Sequence, residues 1–307
     1  MSRTVNQGKR TLFQKFFLDP FVGFWVALVC FLLWVLPLPV SRYFGAGIAC
    51  LVGLVARRRN KIALRNMSVG LPNMSVEEHK KIIKKMWIHF GKLFAESAHG
   101  AQVLKESRRK GMEMLREAEK AGKGGFICTA HFGGWEFEVA RLVSDTFKLN
   151  PVYRKANNPW LNKILFERRP GTKIPKGNAG ARLMLETLNK GEFIAILCDQ
   201  KFREGMEIPF FGKPAMTATG MVSLAIKKDV PIFMVKGVRG SDNIYTFSVE
   251  EKVEIPQNIA YQEAQRQVML HINNLYWDWI KQNPEQYLWV HRRFDKSFYL
   301  DETESKQ

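Results

Sequence analysis

The chain has 307 residues, 46% of them hydrophobic and 25% charged. This is ordinary globular usage, long enough for a sizeable core without disulfide or metal staples, and it excludes a disordered or low-complexity protein. Lys and Arg number 47 against 29 Asp and Glu, a net charge of +18 that seeks phosphates or carboxylates on nucleic acid, anionic lipid or an acidic carrier protein. Cys30, Cys50, Cys128 and Cys198 lie in apolar runs without CxxC spacing. That is the usage of buried, reduced thiols in a cytosol-facing protein, not of a zinc site.

Residues 21–40 (FVGFWVALVCFLLWVLPLPV) carry no charge between Asp19 and Arg42 and reach the length of a bilayer-spanning helix. Pro37 and Pro39 shorten the helical part, and a second apolar stretch, 43–56, is too short to span alone. The run is too long and too aromatic for a cleaved signal peptide, and no small-residue cleavage site precedes the next apolar stretch. Basic residues flank it on both sides: Lys9, Arg10 and Lys15 before, then Arg42, Arg57, Arg58, Arg59, Lys61 and Arg65. Both flanks favour the cytoplasm, which a short hairpin or an interfacial anchor satisfies and a single full span does not. Residues 1–59 are therefore read as a membrane anchor with its basic flank, and 60–307 as the catalytic part.

A helical lead-in, 60–110, comes next. Its segment 74–100 places Ile82, Met86, His89, Phe90, Leu93 and Phe94 at helical spacing, and Ser75 with Glu78 forms a capping box at its start. His79, His89 and His99 recur every ten residues, a period of neither helix nor strand, and are read as surface or core histidines. From 111 to 296 short apolar runs alternate with amphipathic helices. The runs 125–129, 151–153, 193–198 and 231–235 are expected strands, with 245–249 a further strand at an edge. Helices are expected at about 135–146, 159–169, 178–190, 217–228 and 259–282. Strands alternating with helices predict an α/β fold: a mostly parallel central sheet flanked by helices, behind an apolar anchoring helix. A polar tail, 297–307, closes the chain.

Chemistry concentrates past the strand ends, where open α/β sheets hold their sites. The first strand runs into Thr-Ala-His131-Phe-Gly133-Gly134-Trp-Glu136. If the two glycines fold the backbone back, Glu136 can reach one nitrogen of His131, fix its tautomer and leave the other as a general base. The amides of Gly133 and Gly134 are candidate oxyanion donors. Arg154 ends the VYR strand, and Asp199 and Gln200 end the FIAILC strand beside the expected pocket. Phe210 and Phe211 belong to an expected loop lining an apolar groove, with packing in the core as the alternative. Arg292 and Arg293 are candidate phosphate or carboxylate clamps, or braces for the C-terminus. No metal-binding, phosphate-loop or dinucleotide fingerprint occurs, and the scattered basic residues carry no nucleic-acid-binding signature.

The ordered set HFGGWE, VYR (152–154), DQ (199–200) with IPFFGKPAMTATG (208–220), and EQYLWVHRRF (285–294) strongly resembles the late (secondary) acyltransferases of lipid A biosynthesis. These are the lauroyl and myristoyl transferases of the lysophospholipid acyltransferase superfamily, and the resemblance covers about residues 12–296. It implies a monomeric inner-membrane enzyme with its catalytic domain in the cytoplasm, needing no cofactor. Such an enzyme moves a fatty acyl chain from acyl carrier protein to a hydroxyl of a 3-hydroxyacyl chain on a phosphorylated, Kdo-bearing lipid A precursor. By the same resemblance His131 and Glu136 form the family's His-x4-acid pair, and Arg154 lies near substrate phosphate or the oxyanion. Acidic carrier protein, phosphorylated acceptor and anionic lipid all suit a +18 chain. Other membrane acceptors, such as a lysophospholipid, a mannosylated phosphoinositide or an ornithine lipid, remain open at this level.

Overall fold

The computed structural model describes residues 11, 13–153, 156–166, 171–175 and 177–300. In chain order the elements are α1 (Asp19–Val35), α2 (Leu38–Val55), α3 (Arg57–Gly70), α4 (Val76–Glu96), α5 (Gly100–Glu106), β1 (Arg108–Lys110), α6 (Glu113–Lys120) and β2 (Gly125–Thr129). Then come α7 (Trp135–Ser144), β3 (Leu149–Tyr153), the one-turn α8 (Pro159–Leu161), β4 (Ile174–Pro175), α9 (Asn178–Asn189) and β5 (Phe193–Leu197). The last group is β6 (Met206–Phe210), β7 (Lys213–Thr217), α10 (Gly220–Lys228), β8 (Ile232–Arg239), β9 (Tyr245–Val253) and α11 (Tyr261–Gln282). Of the helix expected at 159–169, α8 and the wider turn Asn162–Phe166 that continues it are described; 167–169 lie outside the described residues.

Seven strands form one sheet in the order β1-β9-β8-β2-β5-β3-β4. β8, β2, β5, β3 and β4 run parallel, while β9 is antiparallel to β8. β1 pairs outside β9, so 245–249 is not at the edge as expected. The edge strand is the fully exposed Arg-Arg-Lys of 108–110, which carries no apolar signal for a sequence reading to catch. Alternation along the strands separates two cores. Phe126, Cys128, Ile232 and Met234 pack with α10 and α11 on one face, and Ile127, Phe193, Phe233 and Val235 with α6 and α7 on the other.

At the N-terminus, Leu36 is extended before Pro37, which ends α1, while Pro39 sits in the first turn of α2, where its missing N–H leaves no bond unmade. The break therefore falls where expected, but α2 is longer than its apolar stretch suggests. The helical segments Gln14–Val35 and Leu38–Val55 are each long and apolar enough to cross a membrane. Phe16, Phe21, Phe24, Trp34, Tyr43, Leu51, Leu54 and Val55 on these segments are exposed. The opposite face of α2 packs on α4 through glycine: a Cβ on Gly45 would lie 2.4 Å from the carbonyl oxygen of Gly91, and one on Gly91 2.3 Å from that of Gly45. Helix α4 begins with the expected capping box, Ser75 and Glu78 each bonding the other's backbone N–H. It joins the N-terminal pair to the sheet.

Candidate active site

Register explains how the site assembles. β2 and β5 are adjacent parallel strands with Thr129 opposite Leu197, and two further residues on each reach His131 and Asp199. The His131 Nδ1 lies 2.8 Å from Asp199 Oδ1, and the backbone N–H of His131 donates to Oδ2 at 3.2 Å. Because a carboxylate accepts, Nδ1 carries the proton and Nε2 is the free base. The amide nitrogen of Gln200 approaches Nε2 at 3.2 Å. Asp199 is almost wholly buried, whereas the His131 side chain keeps 20% exposure. Burial pushes the Asp199 carboxyl up, but the charge of His131 and the bonds from its ring and backbone outweigh this and hold it below the usual aspartate value. It therefore stays ionised at neutral pH.

The spacing of the motif points to Glu136 for the orienting role, but the carboxylate on Nδ1 is Asp199. Glu136 lies in the first turn of α7, half-buried, where a negative charge complements the helix N-terminus. Asp199, read from sequence as a pocket residue, is the imidazole's partner across the sheet. Gln200, expected beside the pocket, has its amide nitrogen 3.2 Å from the imidazole Nε2.

Gly133 and Gly134 do not serve as oxyanion donors. The N–H of Gly133 donates to Gln286 O at 2.8 Å and that of Gly134 to Gly237 O at 2.7 Å. Gly133 adopts φ +56, and a Cβ there would fall 1.8 Å from Gly237 O. The glycines are needed to pass under β8, a packing demand rather than a catalytic one.

The C-terminal EQYLWVHRRF stretch straps this loop. Tyr287 bridges to Phe132, and Leu288 N–H donates to His131 O at 3.0 Å. The strap also delivers His291, a residue that the sequence reading quoted without a role. Its ring centre lies 5.7 Å from that of His131, and burial together with the neighbouring His131 lowers its pKa to about 4, so it is neutral at working pH. Trp135 packs on the other side of His131 at 5.6 Å and on Phe90 of α4 at 5.4 Å, linking the site to the helix that carries α2.

The two adjacent arginines part company. Arg293 is buried, donating to Met216 O and Thr217 Oγ1 of β7 and lying over the Phe210 ring, so it braces the hairpin and is no substrate clamp. Arg292 is exposed over the Tyr299 ring and keeps its guanidinium toward solvent. Tyr299, at the start of the expected polar tail, donates to Asn66 Oδ1 at 2.6 Å and so ties that end back to α3. Phe210 and Phe211 are core residues, not groove-lining ones. The expected loop is the β6–β7 hairpin, with Phe211 and Gly212 both at positive φ in its two-residue turn. Phe211 packs among Trp277, Tyr287 and Trp289. Arg154 lies outside the described residues.

Glu138, one turn beyond Trp135, is buried. Thr129 and Gly237 are its nearest polar neighbours, yet neither carboxyl oxygen makes a full hydrogen bond. Burial pushes its pKa up to about 8, so it is largely protonated at neutral pH.

Residues 11–296 match the family model described as bacterial lipid A biosynthesis acyltransferase. The chain is 27% identical over 293 residues to the lipid A biosynthesis palmitoleoyltransferase of Escherichia coli (strain K12), covering 92% of this chain and 94% of that one. It is 26% identical to the lipid A biosynthesis acyltransferase of Haemophilus influenzae, covering 94% and 96%, and 25% identical to the lipid A biosynthesis lauroyltransferase of Escherichia coli (strain K12), covering 84% and 86%. With nearly its whole length matched, and the imidazole of its HFGGWE motif held at the strand ends, the chain belongs to the bacterial lipid A biosynthesis acyltransferase family.

Proposed function

We propose that this protein transfers a fatty acyl chain from acyl carrier protein to a hydroxyl of a 3-hydroxyacyl chain on a Kdo-bearing lipid A precursor. The observation that carries the reading is the His131 imidazole at an open strand end, its Nδ1–H held by Asp199 and its unprotonated Nε2 met by the amide of Gln200. Nε2 takes the proton of the attacking hydroxyl as its oxygen adds to the thioester carbonyl. Asp199 steadies the imidazolium that forms. The tetrahedral intermediate then collapses, the C–S bond breaks, and the imidazolium returns the proton to the leaving thiolate. Transfer is direct, without a covalent acyl-enzyme, and the thioester is the only activated group it uses. Gln200 holds Nε2 before the acceptor arrives and then turns its amide toward the developing oxyanion. Glu136, in the first turn of α7, assists by adding negative charge to the same motif.

The exposed apolar faces of α1 and α2 support an anchor in the inner membrane, with the basic start of α3 and the catalytic domain on the cytoplasmic side, where an acidic carrier protein is available. Arg292 is the exposed strap cation that we assign to the acceptor's phosphate or carboxylate. The test is to offer the purified protein one acyl carrier protein thioester with a Kdo-bearing lipid A precursor, a lysophospholipid, a mannosylated phosphoinositide or an ornithine lipid. Mass spectrometry should show an added ester-linked chain on the lipid A precursor. Product on another lipid alone would overturn the acceptor, and no acyl transfer to any of them would overturn the reaction.

A further inference from the structure

Both backbone groups of Gly133, two residues past the catalytic histidine, are tied to one buried arginine. Its carbonyl accepts from His89 of α4 at 3.1 Å, and the His89 Nδ1 receives the Nε–H of Arg239 at 3.4 Å. Because a guanidinium only donates, the single proton of His89 sits on Nε2 and points at Gly133. Its N–H ends on Gln286 O, and the Gln286 side chain clasps the backbone N–H and carbonyl of Arg239 at 2.9 Å each. The Arg239 guanidinium grips both oxygens of Glu96, which is fully buried, and also meets Tyr245 Oη, which donates to Glu96 at 3.0 Å. The same carboxylate accepts from Arg42 Nε at 2.7 Å. Arg42 lies on α2, whose outer face is the exposed apolar one.

We propose that Arg42, Glu96, Arg239 and His89 form a positioning chain that sets the catalytic loop from helix α2, so that the rate of acyl transfer depends on α2 being seated on α4. The geometry favours this over simple core packing. A buried ion pair with two arginines on one carboxylate is costly to desolvate and adds little net stability over apolar packing, but it fixes orientation through charge-assisted bonds. Its end falls on the carbonyl of Gly133, two residues past His131, in the loop that holds the imidazole against Asp199. His89 is suited to the task because its pKa is lowered to about 3, by burial first and by Arg239 next, so its hydrogen-bond directions stay the same across the working pH range. The glycine seam between α2 and α4 admits close contact in a single register, so a shift of α2 is passed to Arg42 and on to Glu96.

This inference rests on His131 being the base, and the experiment separates the two. Full-length protein in vesicles of phosphatidylethanolamine and phosphatidylglycerol is assayed as wild type, His89→Leu, His89→Gln, Arg42→Met, the Arg42→Met/His89→Leu double variant and His131→Ala. A loop displaced by about an ångström costs on the order of 10²-fold in rate. His89→Leu should therefore lower kcat by about 10- to 100-fold with KM for both substrates unchanged. His89→Gln should recover most of kcat, since an amide can accept from Arg239 and donate to Gly133. Arg42→Met should lower kcat in the same sense, and the double variant should be little worse than His89→Leu alone. Wild-type kcat in His89→Leu, no recovery in His89→Gln, or losses that multiply in the double variant would overturn the chain. So would a loss that follows the unfolded fraction in thermal melting. Retained activity in His131→Ala overturns the base assignment instead, whatever the other variants do.

Discussion

His131 has two acidic candidates for a partner, one along the chain and one across the sheet, and the difference between them is instructive. Glu136 is five residues away in sequence, but a glycine turn and a helix start intervene. Asp199 is 68 residues away and yet 2.8 Å from the imidazole, because β2 and β5 are parallel neighbours whose register brings both loop residues to the same depth. In an open parallel sheet, strand register rather than sequence spacing chooses the partner. Arg292 and Arg293 repeat the lesson at one-residue spacing: consecutive residues point to opposite sides of the strap, one to solvent and one into the hairpin.

The largest expected effect tests the residue both candidates serve. His131→Ala should lower kcat/KM by about 10²- to 10⁴-fold, the usual worth of a general base, in a protein that still folds. Near-wild-type turnover would remove it from the mechanism. Asp199→Asn comes next: an amide in that place leaves the tautomer unfixed and the imidazolium unpaired, for a loss of about 10²-fold in kcat. Glu136→Gln should lose less than His131→Ala. If Asp199→Asn transfers acyl chains at the wild-type rate, the partner across the sheet is not the functional one.

Stability and kinetics together separate the two arginines. Arg293→Ala removes the guanidinium donors from Met216 O and Thr217 Oγ1, leaving the first only the Phe202 N–H, and should destabilise the fold by about 1–3 kcal/mol. Arg292→Ala should leave the melting temperature in place and raise KM for the phosphorylated acceptor. The reverse pattern would interchange their roles.

The smallest effect concerns Glu138, whose folded pKa of about 8 lies above the ordinary 4.5. The folded state holds the proton more tightly than the unfolded chain does. This contribution to stability is complete below about pH 4.5 and is lost as pH rises through about 8. Glu138→Gln should therefore melt higher than wild type at pH 9 and close to it at pH 5. An identical pH dependence in the two proteins would show that Glu138 does not titrate in this range.

Much of this was legible beforehand. Apolar runs bounded by glycine and charge located β2, β5 and β8, and the Ser75–Glu78 cap located the start of α4, because burial and capping write themselves into local sequence. The motif placed His131 at a strand end. What local sequence does not contain is who stands beside whom. The Asp199 contact and the ring contact with His291 depend on strand order and on how the strap returns. The β6–β7 hairpin was hidden because its turn is Phe-Gly in place of the usual Asn-Gly, and Pro209 and Pro214 disguise its strands. The glycine amides were misread because a Gly-Gly before a helix looks the same whether its N–H groups face a ligand or a neighbouring carbonyl.

His131 and Asp199 act as one unit, and a double-mutant cycle in kcat/KM measures their coupling. The His131→Ala/Asp199→Asn variant should be no slower than His131→Ala alone, since a carboxylate that only orients and charges the imidazole has nothing left to act on. If the two losses multiply instead, Asp199 works independently of His131 and the dyad as described here is wrong.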